Sequence, residues 1–270
     1  MSDAVFVLEG ERFRPTEKAR SPWSEAQLHG GSAAGLLARA VERFDNDPAL
    51  QVARLTVDLL KPVPNAPLQV HVASVRRGNR IHVVEAALLS EGEVVTKAAA
   101  LLLRRLDEEI AIDPPVAPLP RPERLEPSSL TGWVQRPGGP PAPPSFGREG
   151  LHTTIEVRWI SGRDQPGPNK AWVRLPVPLV EGEENSPLVR AAAIADFTNA
   201  FSNRAGRSPV GFINADITLY LHRYPAGEWI ALETGRVAQP YGLGISTAVM
   251  HDERGPIGAV VEAVLANQRR

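Results

Sequence analysis

Residues 31–44 read GSAAGLLARAVERF, and their spacing predicts a helix: Leu36, Leu37, Ala40, Val41 and Phe44 fall on one face, while Arg39, Glu42 and Arg43 fall opposite. Asn46, Asp47 and Pro48 stop it. Four strand-like runs follow, 50–60, 68–76, 80–90 and 94–104, parted by turn-forming residues that include Gly78-Asn79 and Glu91-Gly92-Glu93. The order is one helix, then an antiparallel meander. It returns in the second half of the chain, with Ser186 as N-cap, Pro187 at the first helical position and a helix over 188–201. Residues 202–209 end that helix, and runs 210–221, 228–239, 242–252 and 257–266 come after it. The turns at Pro64 and Pro225 lie 161 residues apart and those at Gly92 and Gly255 lie 163 apart, so the layout is duplicated although residue identity is nearly gone. Each half also has strand-like runs ahead of its helix, 4–13 in the first and 151–159 with 170–175 in the second.

A single helix beside a four-stranded meander buries its apolar stripe only against the concave face of that sheet. Eleven of the 26 prolines lie between Pro114 and Pro144, where neither a helix nor a central strand can form. The chain therefore divides into an N-terminal unit, 1–106, an extended proline-rich connector, 107–150, and a C-terminal unit, 151–270.

Two such units in tandem make an α+β double hotdog, each an antiparallel sheet wrapped around one central helix. The sequence resembles the acyl-CoA thioesterase II family and its thioesterase-like relatives in PWSEAQLHGGSAAGLLARAVERF (22–44), RLTVDLLKPVP (54–64), AIADFTNAF (193–201) and ADITLYLHR (215–223). The resemblance implies hydrolysis of an acyl-CoA thioester by water, with the coenzyme A thioester as substrate and no cofactor. It covers nearly the whole chain outside the connector.

Asp196 is the first candidate for chemistry. Helical spacing puts it beside Ala192, Ala193 and Ala200, a carboxylate on a small apolar face with room for a substrate or a water. The resemblance makes it the general base; the alternative is a partly exposed aspartate. On the run 213–222, Asn214, Asp216, Thr218, Tyr220 and His222 alternate with apolar residues and point one way, which by itself describes a solvated sheet face. The family holds its attacking water with a threonine where this chain has Asn214, an amide that can also donate and accept. The family's third group, a glutamine on the last strand, aligns with Val261, which can do neither; Glu262 falls on the other side of that strand, and Thr198 or Asn199 could supply a donor instead. Gly30 and Gly31 open the first helix, where free N–H groups and the dipole can hold an oxyanion, and the resemblance implies that they meet Asp196 across the internal twofold. Their other reading is a tight turn capped by His29 or Ser32. Gln27 and His29 are expected to touch substrate.

Other classes are set aside on composition. Thirty Lys+Arg against 31 Asp+Glu give a net charge of −1 and no field for nucleic acid. The absence of cysteine removes disulfides, thiolate nucleophiles and cysteine-bound metals. The six histidines show no metal-ligand spacing, so no metal is expected. The longest apolar run, residues 98–103, is far shorter than the ~20 residues of a membrane span, and a cytoplasmic location without membrane contact is expected. Open sheet edges suit a homo-oligomer. Two alternatives accompany the thioesterase reading: a non-catalytic acyl-thioester binding protein, motivated by Val261, and an enoyl-thioester hydratase, placed last because AIADFTNAFSN lacks a histidine.

Overall fold

The computed structural model describes residues 2–106, 108–110, 118–130, 147–162, 169–202 and 211–267. Helix α1 (Gly30–Phe44) starts from its N-cap His29. Leu36, Leu37 and Val41 are fully buried in one core with Leu55, Leu88 and Leu102 of the sheet, and such burial stabilises by about 1.5–3 kcal/mol per side chain. Two residues leave their predicted faces. Phe44, at the helix end, is exposed, whereas Arg39 is buried beneath a bidentate pair with Glu183 and lies over the Phe13 ring.

The run 4–13 is not one strand. Gly10, at φ 62°, turns it into a hairpin of β1 (Phe6–Glu9) and β2 (Arg12–Pro15). The hairpin is fastened to the second unit, with Phe6 N–H donating to Leu179 O at 2.8 Å and Glu181 N–H to Phe6 O at 2.9 Å. The first meander is β3 (Leu50–Asp58), β4 (Gln69–Arg77), β5 (Ile81–Ser90) and β6 (Glu93–Arg104). In the second unit, the run 151–159 splits into a helical turn, α2 (Leu151–Thr154), and β7 (Glu156–Ser161), because the Thr153 and Thr154 hydroxyls bond back to Gly150. Then come β8 (Asn169–Arg174), α3 (Pro187–Ala195), α4 (Phe197–Ser202), β9 (Gly211–Asn214), β10 (Asp216–Leu221), β11 (Ile230–Ala238), β12 (Leu243–Asp252) and β13 (Gly255–Asn267). The predicted single helix over 188–201 is thus interrupted at Asp196. Its predicted end beyond Ser202, and Val210, lie outside the described residues.

One antiparallel sheet of eleven strands runs β4-β5-β6-β3-β10-β13-β12-β11-β8-β7, with β9 also on β13. The two units meet where β3 pairs with β10. There Thr56 stands opposite Thr218, their hydroxyls 3.4 Å apart and 162 residues apart in the chain, which is the offset of the duplication. The duplication extends to irregularities. Ala53 is the extra residue of a bulge between β3 and β6, and Ala215, at the same offset, is the extra residue separating β9 from β10.

Glycine and alanine bring the central helices together. A Cβ on Gly31 would lie 2.3 Å from Ala193 O, and one on Gly35 would lie 3.3 Å from Ala193 Cβ. Residues 119–128 of the 107–150 segment run over the outer face of the second unit, whereas Arg148 and Glu149 pair with Glu25 and Lys18 of the first. Trp172 Nε1 donates to Pro120 O at 2.8 Å, and Leu119 and Leu125 pack on Trp172 and Trp229. Residues 107, 111–117 and 131–146 of that segment lie outside the described residues. Among the described residues no helix is long and apolar enough to cross a membrane.

Candidate active site between the two helices

Asp196 sits at the end of α3, where the helix ladder breaks and its N–H turns to Ile194 O. The break aims a buried carboxylate at the start of α1. Oδ2 accepts from Gly31 N–H at 2.8 Å and lies 2.6 Å from His29 Nδ1; Oδ1 accepts from Asn214 Nδ2 at 2.8 Å. A 2.6 Å contact between Nδ1 and a carboxylate oxygen needs a proton on the nitrogen, so His29 donates to Asp196. Gly31 N–H, 3.1 Å from the same Nδ1, is then left to the carboxylate. The imidazole is steadied by stacking on Phe197, ring centroids 4.6 Å apart.

Burial would raise the pKa of Asp196, but the neighbouring His29 charge and the donors His29, Asn214 and Gly31 together outweigh it and hold the group below the usual carboxylate value. A carboxylate so held stays ionised at neutral pH. Only glycine fits opposite it, since a Cβ on Gly30 would lie 2.6 Å from Asp196 Oδ1. Gly30 N–H has no hydrogen-bond partner among the described residues, as expected at a helix N-terminus. Gly31 N–H is committed to Asp196, which leaves Gly30 as the one of the two glycines whose N–H is free among the described residues.

The bulge at Ala215 corrects the expected polar face. Across it the side-chain parity changes, so Asn214 faces inward to Asp196 while Asp216, Thr218 and Tyr220 share the outer face. His222 is exposed beyond them. Periodicity could not reveal this, because period two holds only until a residue is inserted.

Val261 is corrected too. It pairs with Thr218 on the outer face and is 39% exposed, so it is not part of the site. The inward residues of β13 are Val260, Glu262 and Val264, all buried. Glu262 is fully buried, and neither carboxyl oxygen has a hydrogen-bond partner among the described residues. Burial, with the charges of Asp196 and then Asp216, pushes its pKa well above the ordinary value; the Asn199 backbone and the Arg236 charge oppose this more weakly. Reading Glu262 as the residue on the other side of the strand hid it. The sequence signal was available: Glu262 is the lone carboxylate in the apolar run 257–266.

The other candidates play different parts. Asn199 Nδ2 donates to Phe212 O at 2.9 Å, and Asn199 O accepts from Arg236 Nη2 at 2.7 Å, so it joins α4 to β9 and β11. Thr198 is fully buried, its hydroxyl without a partner among the described residues. Gln27 is held through its backbone, against Ser21, Ser24 and Pro64, and its side chain is not among the contacts of Asp196. The histidine absent from AIADFTNAFSN is supplied by the other unit as His29, which removes the reason given for placing a hydratase last.

Residues 19–103 match the model of the acyl-CoA thioesterase N-terminal domain, and residues 122–266 that of the acyl-CoA thioesterase C-terminal domain. No curated protein matches the chain significantly. Similar solved structures include a conserved protein of unknown function with hot dog fold from Alicyclobacillus acidocaldarius, 18% identical, covering 99% of this chain and 98% of that one at a TM-score of 0.69. The acyl-CoA thioesterase II TesB2 of Mycobacterium marinum is 18% identical, with 96% and 94% covered and a TM-score of 0.65. The tesB protein of Mycobacterium avium subs paratuberculosis is 14% identical, with 97% and 96% covered and a TM-score of 0.66. The fold is the tandem hotdog.

Proposed function

Because the chain belongs to the acyl-CoA thioesterase family, matched over both its domains, we propose that it hydrolyses an acyl-CoA thioester with Asp196 as general base. The observation that carries this reading is the buried Asp196 carboxylate, held by Gly31 N–H, His29 and Asn214 at the start of α1, beside Gly30, whose own N–H has no partner among the described residues. Water attacks the thioester carbonyl carbon and gives a proton to Asp196, and Gly30 N–H donates to the oxygen that becomes negative. Collapse of the adduct breaks the C–S bond, the departing sulfur takes the proton, and the products are a carboxylic acid and the free thiol of coenzyme A. Hydrogen bonds that keep Asp196 ionised also weaken it as a base, so positioning has to supply much of the acceleration.

The non-catalytic alternative rested on Val261, and that side chain faces away. The test is thiol release from short, medium, long, aromatic and α,β-unsaturated acyl-CoAs. Asp196→Asn is expected to lower turnover by about 10²–10⁴-fold with its circular dichroism unchanged. Equal turnover in both proteins overturns the assignment, and water addition to the unsaturated thioester without thiol release selects hydration instead.

A further inference from the structure

The outer face of the sheet is apolar where three strands of the second unit lie side by side. Leu243, Ile245 and Val249 of β12, Val261 and Leu265 of β13 and Tyr220 of β10 point outward and are 39–63% exposed, whereas the alternate residues Ser246, Ala248, Val260 and Val264 are buried. No outward residue from Leu243 to Val249 or from Ala259 to Leu265 is charged. In the first unit the residues at the duplication offset from Thr247 and Ala259 are Glu85 and Lys97, both exposed, so the matching face there is charged. Leu119 and Leu125 cover the outer face at Trp172, Trp229 and Ala231, and among the described residues nothing covers the apolar part. The sheet edges are guarded: Ser128 N–H donates to Val157 O of β7 at 2.9 Å, and β4 presents exposed His71, Arg76 and Arg77. One row across the apolar face reads Arg54, Tyr220, Ala259, Val249, Glu233 on β3, β10, β13, β12 and β11. It has a cation at one end and a carboxylate at the other, about 19 Å apart, with Ala259 midway. Arg54 is in no ion pair among the described residues and its Nε is buried without a partner there; Glu233 pairs with Lys170 at 2.8 Å and its side chain remains 29% exposed.

We propose that this face binds a second copy of the chain, sheet against sheet, about a twofold axis that runs parallel to the strands over β13. Such an axis turns the row end for end, so Arg54 of one copy comes to Glu233 of the other at both ends, and Ala259 faces its own copy. Sheets stacked in this way lie about 10 Å apart with their strands within about 30° of each other. The six large side chains, at roughly 100 Å² each, present about 600 Å². The alanines and threonines between them carry this toward the ~800 Å² per partner of a stable interface. A centre without charge offers nothing to a charged partner, and the two ends of the row complement each other only when the row is reversed, which the second copy does.

Sedimentation of the full chain at micromolar concentration tests this. Wild type is expected at twice the 29.2 kDa of one chain. Ile245→Glu places a carboxylate on the apolar face and should raise the dimer Kd by at least about 10²-fold, with circular dichroism unchanged because the position is half exposed in the single chain. Arg54→Glu sets carboxylate against carboxylate at both ends of the row and should raise it about tenfold. The chain has no cysteine, so Ala259→Cys supplies a single thiol on the axis, and a bismaleimide that spans about 10 Å should join two chains through it. Ala73→Cys, on the outward face of β4 and five strands from β13, should not be joined. A wild-type chain that stays monomeric overturns the proposal. So does a dimer that Ile245→Glu leaves intact, which would place the contact elsewhere, and a dimer joined through Ala73→Cys but not through Ala259→Cys. A dimer broken by Ile245→Glu but indifferent to Arg54→Glu overturns the twofold arrangement.

Discussion

At the position equally far from its cap, α1 carries Arg39 and the second helix carries Asp196. The frame then builds two crossings of helix start against helix middle. In one, His29 and Gly31 at the start of α1 meet Asp196. In the other, Glu183, just ahead of α3, meets Arg39 in a two-pronged ion pair, and the helix begins with Pro187, which has no N–H to offer. Where the second unit aligns Arg236, Ser246 and Glu262 across three strands, the first aligns Ser74, Val84 and Ala100. Asn214 likewise has Val52 as its counterpart before the bulge. The frame is symmetric and the chemistry is not: one crossing is filled by a salt bridge, the other by an acid, a histidine and a vacant N–H.

The sharpest way to break this contrast is Gly30→Ala. Its Cβ would press on the Asp196 carboxylate, and a displacement of that kind is expected to lower kcat/KM of the folded protein by about 10²-fold, read by thiol release, and to lower the melting temperature as well, because the displaced carboxylate is buried. Wild-type kinetics would show that the carboxylate does not need its present place.

At the other crossing, Arg39→Met should leave turnover of the folded protein intact and cost about 2–3 kcal/mol in urea denaturation, below the fully buried range because Glu183 is partly exposed. Adding Glu183→Leu should restore most of that loss. The pair also predicts a pH dependence. The Arg39 hydrogen bond holds the pKa of Glu183 below its ordinary 4.5, so its contribution is present above about pH 4.5 and fades as pH falls through the lowered value. The stability gap between wild type and the double variant should therefore narrow on acidification. A gap independent of pH would mean that packing, not charge, fills this crossing.

Val261→Gln is expected to do least, leaving kcat/KM within about twofold, since its side chain faces outward. A large change would return that residue to the site.

The helices, the meanders and their duplication were legible in the sequence because periodicity and turn residues are local signals: the predicted strand 94–104 is Glu93–Arg104 in the structure. Asp196 was legible as a carboxylate among alanines. What escaped depends on residues distant in the chain or on a single insertion. His29 reaches Asp196 only after the sheet has joined the two units. Ala215 reverses the face of Asn214 without leaving a mark in composition, and Glu262 was set aside because it was placed on the face of the last strand that points away from the site. Arg39 looked like a solvent residue because its partner Glu183 lies 144 residues away.

The pairing of β3 with β10 also governs how the protein can fail. Five residues of each strand are bonded in register across that seam, so neither unit can open without exposing main-chain donors and acceptors of the other. Melting should then be a single transition, and cutting the chain within the proline-rich segment should leave both halves associated and the site whole. The candidate site and the cooperative unit of folding are then the same object, and no fragment that contains Asp196 alone inherits either.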